Sequence, residues 1–184
     1  MLRQFRRPLW LTLALAAPLA APLAAQDARR GPVVSPTIGY HFLEVRRPAT
    51  GGELVRSTDD FMLGVSLGIP IGRFLMPDLT YRTTFGKTSS FQAASLGLNL
   101  LAGWSPRAHV RAAVAMIQAS QPRICPTSGP CIAGVDDWRV GYELEGGVEF
   151  RIGGMTLGPT VWLTRGSQNG VIHRSVGVGL RFRQ

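Results

Sequence analysis

The chain has 184 residues, of which 45% are hydrophobic and only 17% are charged. This length suits a single domain, and the apolar content excludes an intrinsically disordered chain. The formal net charge is +9, but the basic residues are scattered along the chain and Lys87 is the only lysine. A nucleic-acid-binding protein concentrates its basic residues on one face or stripe, so no nucleic-acid partner is predicted.

Residues 1–25 have the features of a secretory signal peptide. Three arginines within the first seven residues precede an apolar run from Leu9 to Leu15, and small residues lead to Ala25. A basic start, a short apolar stretch and small residues before a cleavage point are typical of such peptides. A membrane-anchoring helix would need about 20 apolar residues, and Pro18 interrupts this segment. The sequence therefore predicts a signal peptide at 1–25 and one exported domain at 26–184.

The exported part alternates apolar and polar residues with a period of two. The alternation is clearest from Trp138 to Ile152, where even-numbered positions are apolar or glycine and odd-numbered positions are charged or glycine. Because side chains alternate between the two faces of a strand, this pattern predicts strands with one apolar face. Eight such strands are predicted, at roughly 34–45, 58–69, 74–85, 91–102, 109–119, 138–150, 155–164 and 171–183.

The links between the strands alternate in length. Tight Gly- or Pro-containing turns follow the even-numbered strands, and longer links follow the odd-numbered ones, at roughly 46–57, 86–90, 120–137 and 165–170. Eight strands connected in this way predict an all-β, antiparallel, up-and-down barrel.

Three features favour a transmembrane barrel over a soluble barrel with an apolar interior. The polar faces are rich in small residues and carry few charges, as a crowded interior requires. The predicted strands match the length of about 9–11 residues that crosses a bilayer at a tilt. The aromatic residues form two bands, as they do at the two membrane surfaces. Phe42, Phe61, Phe85, Phe91 and Trp138 lie near the long links, and Phe74, Trp104, Phe150 and Phe182 lie near the tight turns.

With its signal peptide, eight alternating strands and links of alternating length, the chain resembles the small bacterial outer-membrane barrels of the OmpA and OmpX type. The resemblance implies a Gram-negative outer-membrane location, insertion by the outer-membrane assembly machinery, and contact with outer-membrane lipid and lipopolysaccharide. The best-supported function is a structural, surface-interaction or envelope-stability role without catalysis, and the narrow interior of an eight-stranded barrel disfavours an open pore. The alternatives are an outer-membrane lipid-modifying enzyme and a soluble periplasmic barrel that binds an apolar ligand.

Cys125 and Cys131 lie close together in the longest link, with two prolines and a glycine between them. In an exported protein such a pair predicts a local disulfide, with free thiols as the alternative. A metal site is disfavoured because no second cysteine pair or neighbouring histidine completes four ligands. The disulfide would fix an exposed loop.

Acidic and basic residues share the polar face of the fifth and sixth strands. An eight-stranded barrel encloses only enough space for its own side chains, and charges inside it must be paired. We therefore predict an interior ion-pair network, rather than an acid–base catalytic site, with Asp78, Arg82 and Arg181 as candidate further members. Its predicted members are Arg111, Arg139, Glu143, Glu145 and Glu149.

The sequence contains two weaker candidate site patterns. His173-Arg174-Ser175 is similar to the nucleophile motif of outer-membrane lipid A deacylases, although no acidic residue follows it. The pairs Asp59-Asp60 and Asp136-Asp137 open two strands, where carboxylates could hold a divalent ion. The nearby arginines Arg46, Arg47 and Arg56 could contact lipid phosphates, although solvated charges are the simpler interpretation. No Gly-rich phosphate loop or metal-ligand cluster is present, so no cofactor or metal is predicted.

Overall fold

A computed structural model describes residues 31–49, 52–85, 90–103, 105–121, 134–168 and 170–183. Each of its eight strands pairs antiparallel with the next, and the last pairs with the first, so the sheet closes into a barrel. The predicted eight-stranded antiparallel barrel is thus confirmed. The strands are β1 (Val33–Ala49), β2 (Gly52–Gly68), β3 (Leu75–Thr84), β4 (Ser90–Gly103), β5 (Arg107–Gln121), β6 (Val135–Ile152), β7 (Met155–Gln168) and β8 (Val171–Arg183).

Two sequence predictions concern residues outside this description. The signal peptide at 1–25 and the proposed disulfide between Cys125 and Cys131 both lie outside the described residues. Both stay predictions. None of the described residues belongs to a helix that is long and apolar enough to cross a membrane.

The links do not divide by length between the two ends of the barrel: the links after β1 and β7, which the sequence predicted to be longer, span only two residues each, and most of the predicted link 165–170 is strand. At one end, here called the turn end, β2 joins β3, β4 joins β5 and β6 joins β7 through short turns. Gly72 and Gly153 adopt positive φ values of 66° and 63° in two of these turns, a conformation that glycine reaches without steric cost. The opposite end, here called the loop end, carries the links after β1, β3, β5 and β7.

Several strands are longer than the sequence pattern indicated. β1 and β2 have 17 residues each and stay paired as far as Ala49 and Gly52. The predicted link 46–57 is therefore mostly strand. The reason is that backbone hydrogen bonds continue a ladder wherever two strands remain adjacent, whereas the apolar alternation stops where the side chains no longer meet an apolar environment.

The barrel is apolar outside and polar inside. Leu96, for example, is 68% exposed on the outer face of β4, whereas Arg82 and Arg111 are fully buried inside. This distribution is the reverse of a soluble barrel, whose apolar side chains fill the interior, and it matches the apolar outer band of a membrane barrel. The alternative of a soluble barrel with an apolar ligand cavity does not fit this arrangement.

One aromatic assignment made from the sequence is wrong. Phe91 is only 2% exposed and points into the barrel, where its ring lies 4.2 Å from the ring of His41, centroid to centroid. The physical reason is parity, because Phe91 has the odd numbering of the inward face of β4. Phe42 and Phe61 of the same predicted band are exposed on the outer face, and Trp104 lies outside the described residues.

Candidate functional site in the barrel interior

The half of the interior nearer the loop end contains a buried apolar cluster. Side chains from three strands form it, and large aliphatic and aromatic groups pack there against small alanines. Buried polar side chains, among them His41, Arg139 and His173, lie in the same half. The members of the cluster are Leu43, Val45, Phe91, Ala93, Ala115, Ile117 and Ala119.

The half nearer the turn end holds a buried charged network, contributed by β3, β5, β6 and β8. Period-two alternation places each of its members on the inward face of its strand. Four arginines face four carboxylates, so their formal charges cancel. The members are Arg82, Arg111, Arg181, Arg183, Asp78, Glu143, Glu145 and Glu149.

Glu145 lies at the centre of this network. Its carboxylate pairs with Arg82 of β3 and with Nη1 of Arg181 of β8, the latter at 2.8 Å. Thr160 Oγ1 donates a further hydrogen bond at 3.0 Å, and His109 Nε2 lies 3.3 Å away. Four strands thus supply partners to one carboxylate, which compensates for its removal from water.

Arg111 joins two other carboxylates. Its Nε donates to Asp78 Oδ1 at 2.7 Å, and its Nη1 donates to Glu143. Ser95 completes the arrangement, because its hydroxyl accepts from Arg111 Nη2 at 2.9 Å and donates to Glu143 at 3.2 Å. The Asn99 amide donates a further hydrogen bond to Asp78.

Glu149 and Arg183 extend the network to the turn end. Arg183 Nη2 lies 2.9 Å from Glu149 Oε1, and His109 Nδ1 lies 3.6 Å from the same oxygen. Arg183 and His109 are not among the network members that the sequence predicted. Their inward parity was visible in the sequence, but their neighbours depend on the register of strands that are far apart in the chain.

Arg139 lies apart from the network with which the sequence grouped it. Its guanidinium donates to the carbonyl oxygen of Val171 at 2.9 Å and to that of Gln168 at 3.3 Å. Its nearest carboxylate is that of Asp137, at 3.4 Å, and Asp137 is 70% exposed. Arg139 therefore ties β6 to the end of β7 and the start of β8, near the loop end.

The two remaining sequence patterns form no site among the described residues. His173 and Ser175 are buried inside the barrel, and neither His173 nitrogen nor Ser175 Oγ has a hydrogen-bond partner there. A serine nucleophile needs a base in hydrogen-bond contact, which this geometry does not supply. Asp136 accepts a hydrogen bond from Gln118 at 2.9 Å. No group of three or more potential metal ligands occurs within the described ranges.

Trp162 packs the middle of the interior and depends on glycine at a neighbouring strand. The guanidinium carbon of Arg82 lies 5.0 Å from its ring centroid, a cation–π distance. The indole also lies against Gly177 of β8, where an added Cβ would overlap Trp162 Cζ2. Because Gly177 has no side chain, it leaves the room that the Trp162 indole occupies inside the barrel.

We expect Gly177→Ala to destabilise the barrel by about 1–3 kcal/mol, because overpacking forces side chains or backbone to shift. The measurement is the free energy of unfolding in detergent micelles. Gly154→Ala is the matched control, since an added Cβ there meets no atom within 4 Å. The double variant Gly177→Ala/Trp162→Leu should lose less unfolding free energy than the sum of the losses in the two single variants, because the smaller leucine leaves room for the added methyl group. Strict additivity of the two changes would contradict this account.

Comparison with known proteins gives a likeness of fold. No protein-family model matches the sequence, and no curated protein matches it. The N-terminal β-barrel domain of Pseudomonas aeruginosa OprF aligns with a TM-score of 0.53 at 14% identity, over 82% of this chain and 96% of that chain. The attachment invasion locus protein Ail of Yersinia pestis, in complex with the heparin analogue sucrose octasulfate, aligns with a TM-score of 0.50 at 10% identity, over 83% of this chain and 99% of that chain. The chain therefore has the fold of the small outer-membrane β-barrels that its sequence resembles.

Proposed function

We propose that the protein is an integral outer-membrane barrel with a closed interior and a structural, surface-interaction or envelope-stability role. The apolar outer face of all eight strands supports membrane insertion, because so large an exposed apolar surface is not tolerated in water. Outer-membrane lipid and lipopolysaccharide are then its surroundings, and the outer-membrane assembly machinery is the partner that inserts it.

The filled interior is the observation that carries the proposal of a closed barrel. The apolar cluster lies in the half nearer the loop end, and the charged network crosses the half nearer the turn end. Eight-stranded barrels are just wide enough for side chains to fill, whereas porins of 16 to 18 strands leave a water-filled channel. Because arginine–carboxylate pairs cross the lumen, the barrel is better suited to support surface loops than to act as a channel.

Reconstitution in planar bilayers tests this proposal. We expect the protein to require detergent or lipid for solubility and to insert into neutral vesicles. After insertion it should give no stable open conductance level, while a 16-stranded porin in the same bilayer conducts. A stable open level would contradict the closed interior, and a monomeric protein that stays soluble without detergent would contradict membrane insertion.

A further inference from the structure

Two arginines lie directly opposite each other on the outer face near the loop end. Arg165 of β7 and Arg174 of β8 are partners in the strand register, and both are exposed. Like charges directly opposite in a sheet destabilise it, so this arrangement has an electrostatic cost. An anion bound between the two side chains would offset it.

The pair lies where the apolar outer face of β7 and β8 ends, whereas on β6 that face continues through Val140 and Trp138. On β7 the outward residues change from Leu163 to Arg165, and on β8 they change from Val176 to Arg174. On β1, which pairs with β8, the same change occurs from Phe42 to Glu44. An apolar band that ends in an aromatic and then in charges marks the membrane–water interface. Lipid phosphates are found at this depth.

Two carboxylates, those of Glu44 and Asp59, lie beside Arg174. Glu44 lies opposite Arg174 in the register, but its carboxylate accepts a 2.6 Å hydrogen bond from Arg46 Nε. This hydrogen bond, together with the positive charges of Arg46 and Arg174, lowers the pKa of the Glu44 carboxyl and keeps it charged. Arg165 forms no ion pair with any described residue. The patch formed by Arg46, Arg165, Arg174, Glu44 and Asp59 therefore carries three positive and two negative formal charges.

A groove of about 460 Å³ lies beside Arg174 on the same outer surface. Phe42 and Val176 contribute apolar walls to it, and Glu44, Ser57 and Asp59 contribute polar ones. A headgroup at the end of an apolar chain suits such a groove, because its chain contacts Phe42 and Val176 while its charged group reaches the arginines. Free inorganic phosphate has no apolar part that could contact these walls.

We propose that Arg165 and Arg174 bind the phosphate group of a membrane lipid, with the adjoining groove holding the apolar part of the same molecule. Guanidinium groups bind phosphate oxygens in a two-point geometry that lysine does not provide. Two opposed guanidinium groups can hold one phosphate between neighbouring strands. This inference rests on the proposed insertion of the barrel into a membrane.

Lipid binding in neutral maltoside micelles tests the inference, with phosphatidic acid as the phosphate-bearing probe and diacylglycerol as the same lipid without phosphate. Bound lipid is counted by native mass spectrometry. We expect phosphatidic acid to bind at least tenfold more tightly than diacylglycerol. The variant Arg165→Gln/Arg174→Gln should lose that preference, and Arg73→Gln/Arg151→Gln, which removes the same charge at the turn end, should keep it within twofold.

Three results would overturn the inference. The first is equal loss of binding in the two double variants, which would indicate a general charge effect. The second is displacement of the lipid by an equal concentration of inorganic phosphate, which would indicate a site for free anions. The third is displacement by a soluble heparin fragment, which would indicate a surface for sulfated polysaccharide. Insertion of the wild-type protein into neutral vesicles is measured separately, so the proposed function stands or fails independently of these results.

Discussion

Replacing Glu145 with leucine should lower the free energy of unfolding by about 3–5 kcal/mol. Removing one member of a buried ion pair leaves its partners charged and desolvated, and here two arginines, Arg82 and Arg181, lose their shared carboxylate. The Thr160 hydroxyl loses its 3.0 Å acceptor as well and keeps a 3.3 Å contact with the carbonyl oxygen of Gly146. Reversible urea unfolding of the barrel in lipid vesicles, followed by tryptophan fluorescence, measures the change.

Two control variants test whether the effect of Glu145→Leu arises from the buried ion pairs. Asp59→Leu removes an exposed carboxylate near the loop end and should change stability by no more than about 0.5 kcal/mol, as surface substitutions do. Glu145→Leu/Arg181→Leu removes both partners of one pair and should recover part of the loss. If Glu145→Leu behaves like Asp59→Leu, the carboxylate is hydrated and the dry interior network does not exist.

Replacing Leu96 with arginine should destabilise the inserted barrel by about 2–4 kcal/mol. Leu96 is an outward residue near the middle of β4 and is flanked by outward leucines and valines on β3 and β5. Arginine on the lipid-facing surface of a barrel has this cost at the bilayer midplane, and the cost falls toward the interfaces. Unfolding in phosphatidylcholine vesicles measures it.

The same substitution near the loop end provides the control. Ser120 lies on the outward face of β5 close to its end, so Ser120→Arg should cost only about 0–1 kcal/mol. A larger loss of unfolding free energy for Leu96→Arg than for Ser120→Arg would show that a bilayer surrounds the barrel. Equal costs at both positions would place Leu96 in a homogeneous environment and contradict a lipid-facing band.

Local alternation in the sequence was sufficient to predict which face of each strand points inward. Leu79 and Arg82 illustrate this, because their opposite parity on β3 places one outside and the other inside. The prediction for Phe91 was wrong because its aromatic character was given more weight than its parity. The ends of β1 and β2 were missed because ladder hydrogen bonds leave no trace in the side-chain pattern.

The partners of interior charges were harder to predict than their orientation. Arg139 and Glu143 share a face of β6 and are only four residues apart, yet their contacts differ completely. At about 3.3 Å per residue, four residues of strand separate two inward side chains by more than an ion pair can bridge. The partners come instead from neighbouring and opposite strands, and their relative heights depend on the register around the whole barrel.

The distribution of interior charge over the strands links barrel closure to the loss of water from the lumen. All four carboxylates of the network lie on β3 and β6, whereas Arg181 and Arg183 lie on β8, the last strand of the chain. A sheet that lacks β8 would hold four carboxylates against two arginines, a deficit of two charges that only water can solvate. Such an open sheet must keep its lumen hydrated, and the arrival of β8 completes the hydrogen-bonded ring and neutralises the lumen in the same event. The closed barrel is therefore the form in which the charges of the lumen are balanced.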